Sequence, residues 1–254
     1  MNIFVILTII SALLLLCTML EFLYSLAKKD GQYSLHGTLG NILRNMVTRA
    51  LLKILEPLPL TFTLLALIGI GSGGDRSLDL TSLFASLVLI DFTYYFVHFA
   101  HHRWPLLWTL HFVHHSDNKF NLSTSMRVNW TQELYFTTVL ITPAIVVGFG
   151  PVTLSAALFI FALYQNAVHA AYIRWPKFLE RIFVTPRIHR VHHDQVELHQ
   201  QSNFGGIFSL WDRLFGTYVD EIPSFTPGIK GYEQDNFIKM ETDPIKEYFR
   251  IKSV

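Results

Sequence analysis

Nine of the twelve histidines in this 254-residue chain fall into three short clusters. The clusters are HFAHH at 98–102, HFVHH at 111–115 and HRVHH at 189–193. Because residues three and four apart lie on one face of a helix, each cluster can direct several imidazoles into one space. Imidazole binds zinc, iron, copper and nickel. The spacing therefore predicts a metal site built by three helical segments.

The number of aligned histidines indicates two metal ions rather than one. A tetrahedral zinc site uses only three or four protein ligands, fewer than these clusters offer. Two metals held mainly by neutral imidazoles stay electron-poor, which suits the binding and activation of dioxygen. Zinc cannot change its oxidation state, so a redox role points to iron. His101 lies about 100° around the helix from His102, and we expect it beside the site rather than on a metal.

Several polar residues are placed to orient these histidines. A metal-bound imidazole usually donates its second N–H to a carboxylate or carbonyl. Asp91 lies seven residues before His98 on the same helical face, and Asp194 directly follows the third cluster. Either carboxylate is expected to accept such a bond; otherwise Asp91 would cap a helix or link two helices, and Asp194 would cap a turn. Gln165 stands one turn before a separate histidine, His169.

The elements that carry the clusters must lie in an apolar environment. Hydrophobic residues make up 51% of the chain and charged residues 15%, with a mean hydropathy of +0.34. Soluble domains carry about 25% charged residues, so much of this surface is predicted to face lipid. The formal net charge of +1 gives no reason to expect a nucleic-acid partner. The single cysteine, Cys17, excludes an internal disulfide and a cysteine-ligated iron–sulfur cluster.

Four apolar stretches are candidates for membrane helices. Residues 3–27, 54–71 and 80–97 are each close to the length of about 20 residues that a spanning helix needs. The fourth stretch, 134–164, is too long for one crossing and is interrupted by Pro143, Gly148, Gly150 and Pro151, so it predicts a hairpin of two helices. The fold expected is an all-α integral membrane protein with four to five transmembrane or membrane-embedded helices.

The distribution of lysine and arginine predicts the orientation of these helices. With the N-terminus outside, Arg76 is the one such residue in an outer loop, and the inner segments carry the others. This agrees with the positive-inside tendency. Every histidine cluster is then on the cytoplasmic side, where residues 98–133 and 172–254 are expected to form a helical cap holding a dinuclear metal site.

The motifs of residues 80–220 resemble the fatty acid hydroxylase and sterol desaturase superfamily. The resemblance rests on HxxxH at 98–102, HxxHH at 111–115 and 189–193, TPR at 185–187 and WDRLFGT at 211–217. Asn203, with the glycines that follow it, also fits the family pattern. The segment HHSDNKFNLSTSMR at 114–127 is similar to the alkylglycerol monooxygenase branch, through Asn121, Ser123, Thr124 and Arg127.

This resemblance implies a membrane enzyme that uses two iron ions and O2 to hydroxylate or desaturate a lipid such as a fatty acyl, sterol or alkylglycerol substrate. Electrons would come from an external donor, such as a b-type cytochrome, a ferredoxin or another reductant. The family ligand pattern falls on nine positions: His98, His102, His111, His114, His115, His169, His189, His192 and His193. Asp91, Gln165, Asp194 and Asn203 are the expected orienting residues. Some relatives carry a further histidine where this chain has Gln165.

Other functions are compatible with clustered histidines. A membrane zinc hydrolase would gather fewer of them and would normally use a catalytic carboxylate. A metal transporter would carry polar ligands at mid-membrane, whereas these lie at one end of the predicted helices. A lipid-binding protein without activity is a third alternative. The basic stretch 174–190 can dock an acidic electron carrier or lie against lipid headgroups.

Overall fold

The computed structural model describes residues 3–55, 65, 78–220, 222, 224–232 and 236–252. Within these ranges the secondary structure is helical, with isolated β-bridges but no strand. The all-α prediction is therefore confirmed for the described part of the chain. The predicted span at 54–71 lies almost entirely outside the described residues.

The first two helices are α1, Ile3–Lys28, and α2, Leu35–Leu55. Helix α1 covers nearly the same residues as the first predicted span. From Leu13 to Leu23 it exposes several large apolar side chains, as expected for a helix surrounded by lipid. Helix α2 was not predicted. Its buried face carries Thr38, Asn41, Arg44 and Thr48, so hydrophobic periodicity does not reveal it.

Helix α3, Leu80–Arg103, is the central element. Asp79 caps its start by accepting a hydrogen bond from the Ser82 N–H, 2.9 Å away. Among the described residues, α3 is the helix that is long and apolar enough to cross a membrane. It continues through the first histidine cluster to Arg103, so this cluster lies on the helix itself. After Trp104, Pro105 begins α4, Pro105–His115, because proline is well suited to the first turn of a helix.

The stretch predicted as a hairpin forms two helices, α5, Trp130–Val146, and α6, Pro151–Ala167. The chain turns at residues 147–150, where Gly148 adopts a φ of 96° that favours glycine. Pro143 lies inside α5 rather than at the break. Ile90 of α3, Ile141 of α5 and Leu154 of α6 are fully buried in one apolar core. This core fixes α3 about two turns before His98.

The remaining helices are short, except for the last. They are α7, Pro186–His192; α8, Glu197–Gln200; α9, Leu210–Phe215; and α10, Phe237–Lys252. Two 3-10 turns lie at Leu122–Met126 and Lys177–Arg181. Helix α10 packs against α4, and its Glu241 pairs with Arg44 of α2.

Candidate metal centre

The nine histidines predicted as ligands lie together in two adjoining groups. The first group is His98, His102, His111, His115 and His192; the second group is His114, His169, His189 and His193. Within each group the candidate ligand atoms all lie within 4.8 Å of one another, and every residue is buried. His101 belongs to neither group.

Four elements supply these side chains. Helix α3 gives His98 and His102 to the first group from consecutive turns. Helices α4 and α7 each serve both groups, because neighbouring histidines point to different sides of the same helix end. His169 follows α6 directly and completes the second group. The HxxHH pattern thus lets one short helix hold two adjacent sites.

Hydrogen bonds fix the orientation of five of the rings. In each, Nδ1 faces an acceptor: the Phe204 carbonyl for His98 (2.9 Å), the Ser202 carbonyl for His192 (2.7 Å), Gln132 Oε1 for His111 (3.2 Å), the Arg127 carbonyl for His114 (3.3 Å) and the Gln165 carbonyl for His169 (2.6 Å). A backbone carbonyl only accepts, so Nδ1 must carry the proton there. A neutral imidazole then has an unprotonated Nε2, which is the atom that binds a metal.

Two such lone pairs face each other in the second group. The Nε2 atoms of His114 and His169 are 3.3 Å apart, and both rings already donate from Nδ1 to carbonyls. With no proton between them, this contact is repulsive unless both atoms share a cation. Metal–imidazole bonds of about 2.0–2.1 Å place neighbouring ligand nitrogens about 3 Å apart. The geometry fits a bound metal ion.

Other ring nitrogens in the groups have no hydrogen-bond partner within the described part of the chain. They are both nitrogens of His102 and of His115, Nδ1 of His189 and Nε2 of His192. A buried polar atom without a partner costs about 1–3 kcal/mol. Metal coordination would satisfy the nitrogens that point into the groups.

Burial keeps the histidines outside α3 in the neutral form that ligates metals. It lowers the pKa of His114 to about 4 and that of His192 to about 3. Burial, together with neighbouring histidines, also holds the pKa values of His111, His115 and His193 well below the ordinary value. No proton therefore has to be removed from these rings near neutral pH before a cation binds.

The two groups are close enough to form one dinuclear site. The rings of His115, in the first group, and His193, in the second, are stacked with their centroids 4.4 Å apart. The centroids of His115 and His192 are 4.7 Å apart. Two ions held by these groups would occupy neighbouring positions.

Of the two roles left open for Asp91, the structure shows the one that links separate elements rather than the one that orients a histidine. Its carboxylate does not contact His98, but accepts hydrogen bonds from the backbone N–H groups of Ile207 and Phe208, at 2.6 and 3.0 Å, and from the indole of Trp211. The reason is that His98 Nδ1 faces across to the Phe204 carbonyl rather than back along α3. Asp91 therefore anchors the segment that follows this carbonyl.

The other expected orienting residues also act differently. Asp194 pairs with Nδ1 of His199 and accepts a hydrogen bond from the Thr226 N–H. It contacts neither histidine group, because it lies beyond the C-terminal end of α7. Asn203, at a φ of 56°, bonds to both backbone groups of Val219 rather than to a histidine. Gln165 does orient His169, but through its backbone carbonyl.

Sequence reasoning missed two side chains that matter here. Gln132, in the first turn of α5, accepts from His111, and only the fold brings it there. Asp212 lies within the WDRLFGT motif, but its role was not inferred. It accepts hydrogen bonds from the N–H groups of Phe204 and Gly205, at 2.7 and 2.8 Å, and from the Thr217 hydroxyl. Burial raises the pKa of Asp212 to about 6.

A cavity of about 490 Å³ adjoins the histidines. Three of them line it, His111 from the first group and His114 and His169 from the second. Much of the rest of its wall is apolar and includes Leu140 and Leu158. The volume lies in the range of small-molecule binding sites.

Phe136 of α5 lines this cavity, whereas Phe92 and Tyr95 of α3 do not. Phe92 packs against Trp211, and Tyr95 stacks on Phe215.

Residues 83–217 match the family model described as fatty acid hydroxylase, which is just over half of the chain. The chain belongs to the fatty acid hydroxylase family. The matched region contains all three histidine clusters and His169. It also contains Asp212 and the segment with the Phe204 carbonyl, whose backbone N–H groups bond to Asp212. The family membership predicted from the motifs is confirmed.

Several characterised proteins are similar to this chain. Alkylglycerol monooxygenase of Danio rerio is 34% identical over 132 residues, which is 52% of this chain and 29% of that protein. The Homo sapiens protein of the same name is 32% identical over 54% of this chain and 31% of its own length. Ornithine lipid hydroxylase OlsE of Rhizobium tropici is 29% identical over 62% of this chain and 48% of that protein. No solved structure matches this chain.

Proposed function

We propose that this protein is a membrane-bound di-iron enzyme that uses O2 to hydroxylate a C–H bond of a lipid. The observation that carries the proposal is the pair of buried histidine groups with facing Nε2 atoms, placed at the end of a largely apolar cavity. Family membership supports lipid as the substrate class, and the names of the relatives favour hydroxylation over desaturation.

The nine histidines of the two groups would hold the irons. When bound, the irons would supply the oxidising power that activates O2 and removes hydrogen from an unactivated C–H bond. The protein's own part is to keep the imidazoles neutral, fix their direction through Nδ1, and exclude water. Five rings are held by acceptors at Nδ1, so the ligand set is preorganised.

The cavity would bind the alkyl part of the substrate. Phe136, Leu140 and Leu158 provide apolar surface next to His111 and His114. The exposed side chains of Leu15 and Met46 also line the cavity, so a lipid can approach along α1 and α2. We propose that α1, α3 and the α5–α6 pair are embedded in the membrane, with the histidines on its cytoplasmic side.

Two electrons per turnover would come from an external donor, such as a b-type cytochrome or a ferredoxin. The basic stretch 174–190 is a candidate surface for an acidic donor. In this stretch Arg187 is committed to Glu180 and Asp220, and Lys177 also pairs with Asp220 at 3.4 Å, so the exposed Arg181 would make the first contact.

The test combines metal analysis with lipid analysis. The purified full chain is expected to contain iron, and cells that express it should accumulate an oxidised lipid in an O2-dependent manner. His192→Ala should abolish the product and lower the iron content. His36→Ala is the matched control, because His36 is exposed on α2 and lies outside both groups. Turnover with zinc and without O2 would instead show a hydrolase.

A further inference from the structure

Glu21 is the single acidic residue of the apolar helix α1, and it is buried, with 8% of its surface exposed. Its carboxylate accepts four hydrogen bonds. Oε1 accepts from the backbone N–H groups of Ala171 at 2.7 Å and Tyr172 at 3.3 Å. Oε2 accepts from the N–H of Leu122 at 3.0 Å and from the Tyr33 hydroxyl. A carboxylate is costly in such a helix and usually marks a functional position, and this one joins α1 to two distant backbone segments.

We propose that Glu21 is a positioning residue that holds the second histidine group in the geometry that binds a metal ion. None of its four hydrogen bonds comes from a histidine, so it acts through the backbone segments that carry the ligands and their acceptors. Glu21 lies outside residues 83–217, so the family match assigns it no role. The inference rests on the proposed function, because that function places an iron in this group.

The first connection to the second group runs through Ala171. This residue gives its N–H to Glu21, and its carbonyl accepts a hydrogen bond from Arg190 of α7 at 3.0 Å. His169 lies two residues before Ala171, and its Nε2 is 3.1 Å from Nε2 of His189, which directly precedes Arg190. The backbone after His169 is therefore held between α1 and α7, which sets how closely the two rings approach.

The second connection runs through Leu122, the first residue of a 3-10 turn. The turn ends at Arg127, whose carbonyl faces Nδ1 of His114 at 3.3 Å. Phe120, two residues before Leu122, stacks on the ring of His169 with centroids 5.5 Å apart. By fixing the start of this turn, Glu21 supports both the acceptor of one ligand and the side chain that packs on another.

The first histidine group is oriented by other parts of the chain. The acceptors for its rings are Phe204, Ser202 and Gln132. They lie in segments that supply none of the four hydrogen bonds to Glu21. Loss of Glu21 should therefore weaken one metal position and leave the other unchanged.

The test measures iron retained by the purified, iron-loaded, full-length protein at graded chelator concentrations. Glu21→Met removes all four acceptor contacts and keeps an unbranched side chain of similar size in α1. One of the two irons should leave at about tenfold lower chelator concentration than in the wild type, and the other should leave at the wild-type concentration. Tenfold is the lower end of the range of about 10–100-fold for groups that orient a metal ligand, because Glu21 acts through the backbone.

Two further variants separate positioning from a general loss of structure. Glu21→Gln keeps one acceptor oxygen, so its iron release should lie between those of Glu21→Met and the wild type. Asp30→Asn is the matched control, because the exposed Asp30 accepts from the Tyr172 hydroxyl rather than from the backbone N–H of this segment. It should release both irons as the wild type does.

Equal weakening of both irons in Glu21→Met would overturn the proposal, and so would iron release indistinguishable from that of Asp30→Asn. If Glu21→Met does not fold, the same criteria apply to Glu21→Gln. The failure of the proposed function is distinguishable: a wild-type protein that binds zinc in place of iron contradicts that function, while the same titration of zinc still decides the role of Glu21.

Discussion

Replacing Asp212 by asparagine should loosen the metal centre without touching a histidine. The carboxylate accepts three hydrogen bonds, two of them from the backbone N–H groups of Phe204 and Gly205. These residues flank the Phe204 carbonyl that receives the Nδ1 proton of His98. Asparagine has one acceptor oxygen, so one backbone N–H would face an amide NH2 instead.

The size of the effect follows from these contacts. Hydrogen bonds to a charged acceptor contribute about 1.5–3 kcal/mol each, and a buried donor without a partner costs about 1–3 kcal/mol. We expect the folded conformation of this segment to be destabilised by about 3 kcal/mol. Changing a group that orients a metal ligand typically weakens metal binding by about 10–100-fold. Iron retention in Asp212→Asn should fall within that range.

The assay is iron content after dialysis against graded chelator concentrations at pH 8, where Asp212 is ionised because its pKa is about 6. Asp220→Asn is the control, since this half-exposed carboxylate pairs with Arg187 and lies away from both histidine groups. If Asp212→Asn keeps its iron as firmly as Asp220→Asn, the segment does not position His98 and the reasoning fails.

Two further predictions concern stability. The metal-free protein should lose stability as the pH falls below about 6.5: burial depresses the folded-state pKa of His114 to about 4, so the unfolded chain takes up protons first. His114 alone should lower the free energy of unfolding by about 3 kcal/mol between pH 7 and pH 4. A denaturant midpoint that stays the same over this pH range would contradict the prediction. Gly206→Ala should cost about 1–3 kcal/mol, because the added Cβ would lie 2.6 Å from Asp91 Oδ1 and 2.7 Å from Phe161. Gly40→Ala, in α2 with no atom within 4 Å of the new Cβ, should instead stabilise by up to about 1 kcal/mol; thermal unfolding of both variants checks the pair.

The local patterns were readable because helix geometry repeats over a few residues. The spacing of His111, His114 and His115 predicted a helix end that presents several imidazoles, and α4 does so. The motifs around the clusters predicted the family, which the comparison confirmed. The breaks at Gly148 and Pro151 coincide with the turn between α5 and α6.

Other features depended on contacts between distant parts of the chain. The acceptors for His98, His114, His169 and His192 are backbone carbonyls, which every residue possesses, so no residue type marks them. Helix α2 escaped prediction because its buried face is polar.

The sequence by itself determined which histidines would gather, since their spacing on helices is a local property. Only the tertiary structure decided how they divide into two groups, because α4 and α7 must pack against each other and against α3 before neighbouring rings can face different partners. The same holds for Asp91. Burial requires a carboxylate to find hydrogen-bond donors, and the donors of Asp91 belong to a segment more than a hundred residues away in the chain. Asp212 instead finds its donors in a tight local turn.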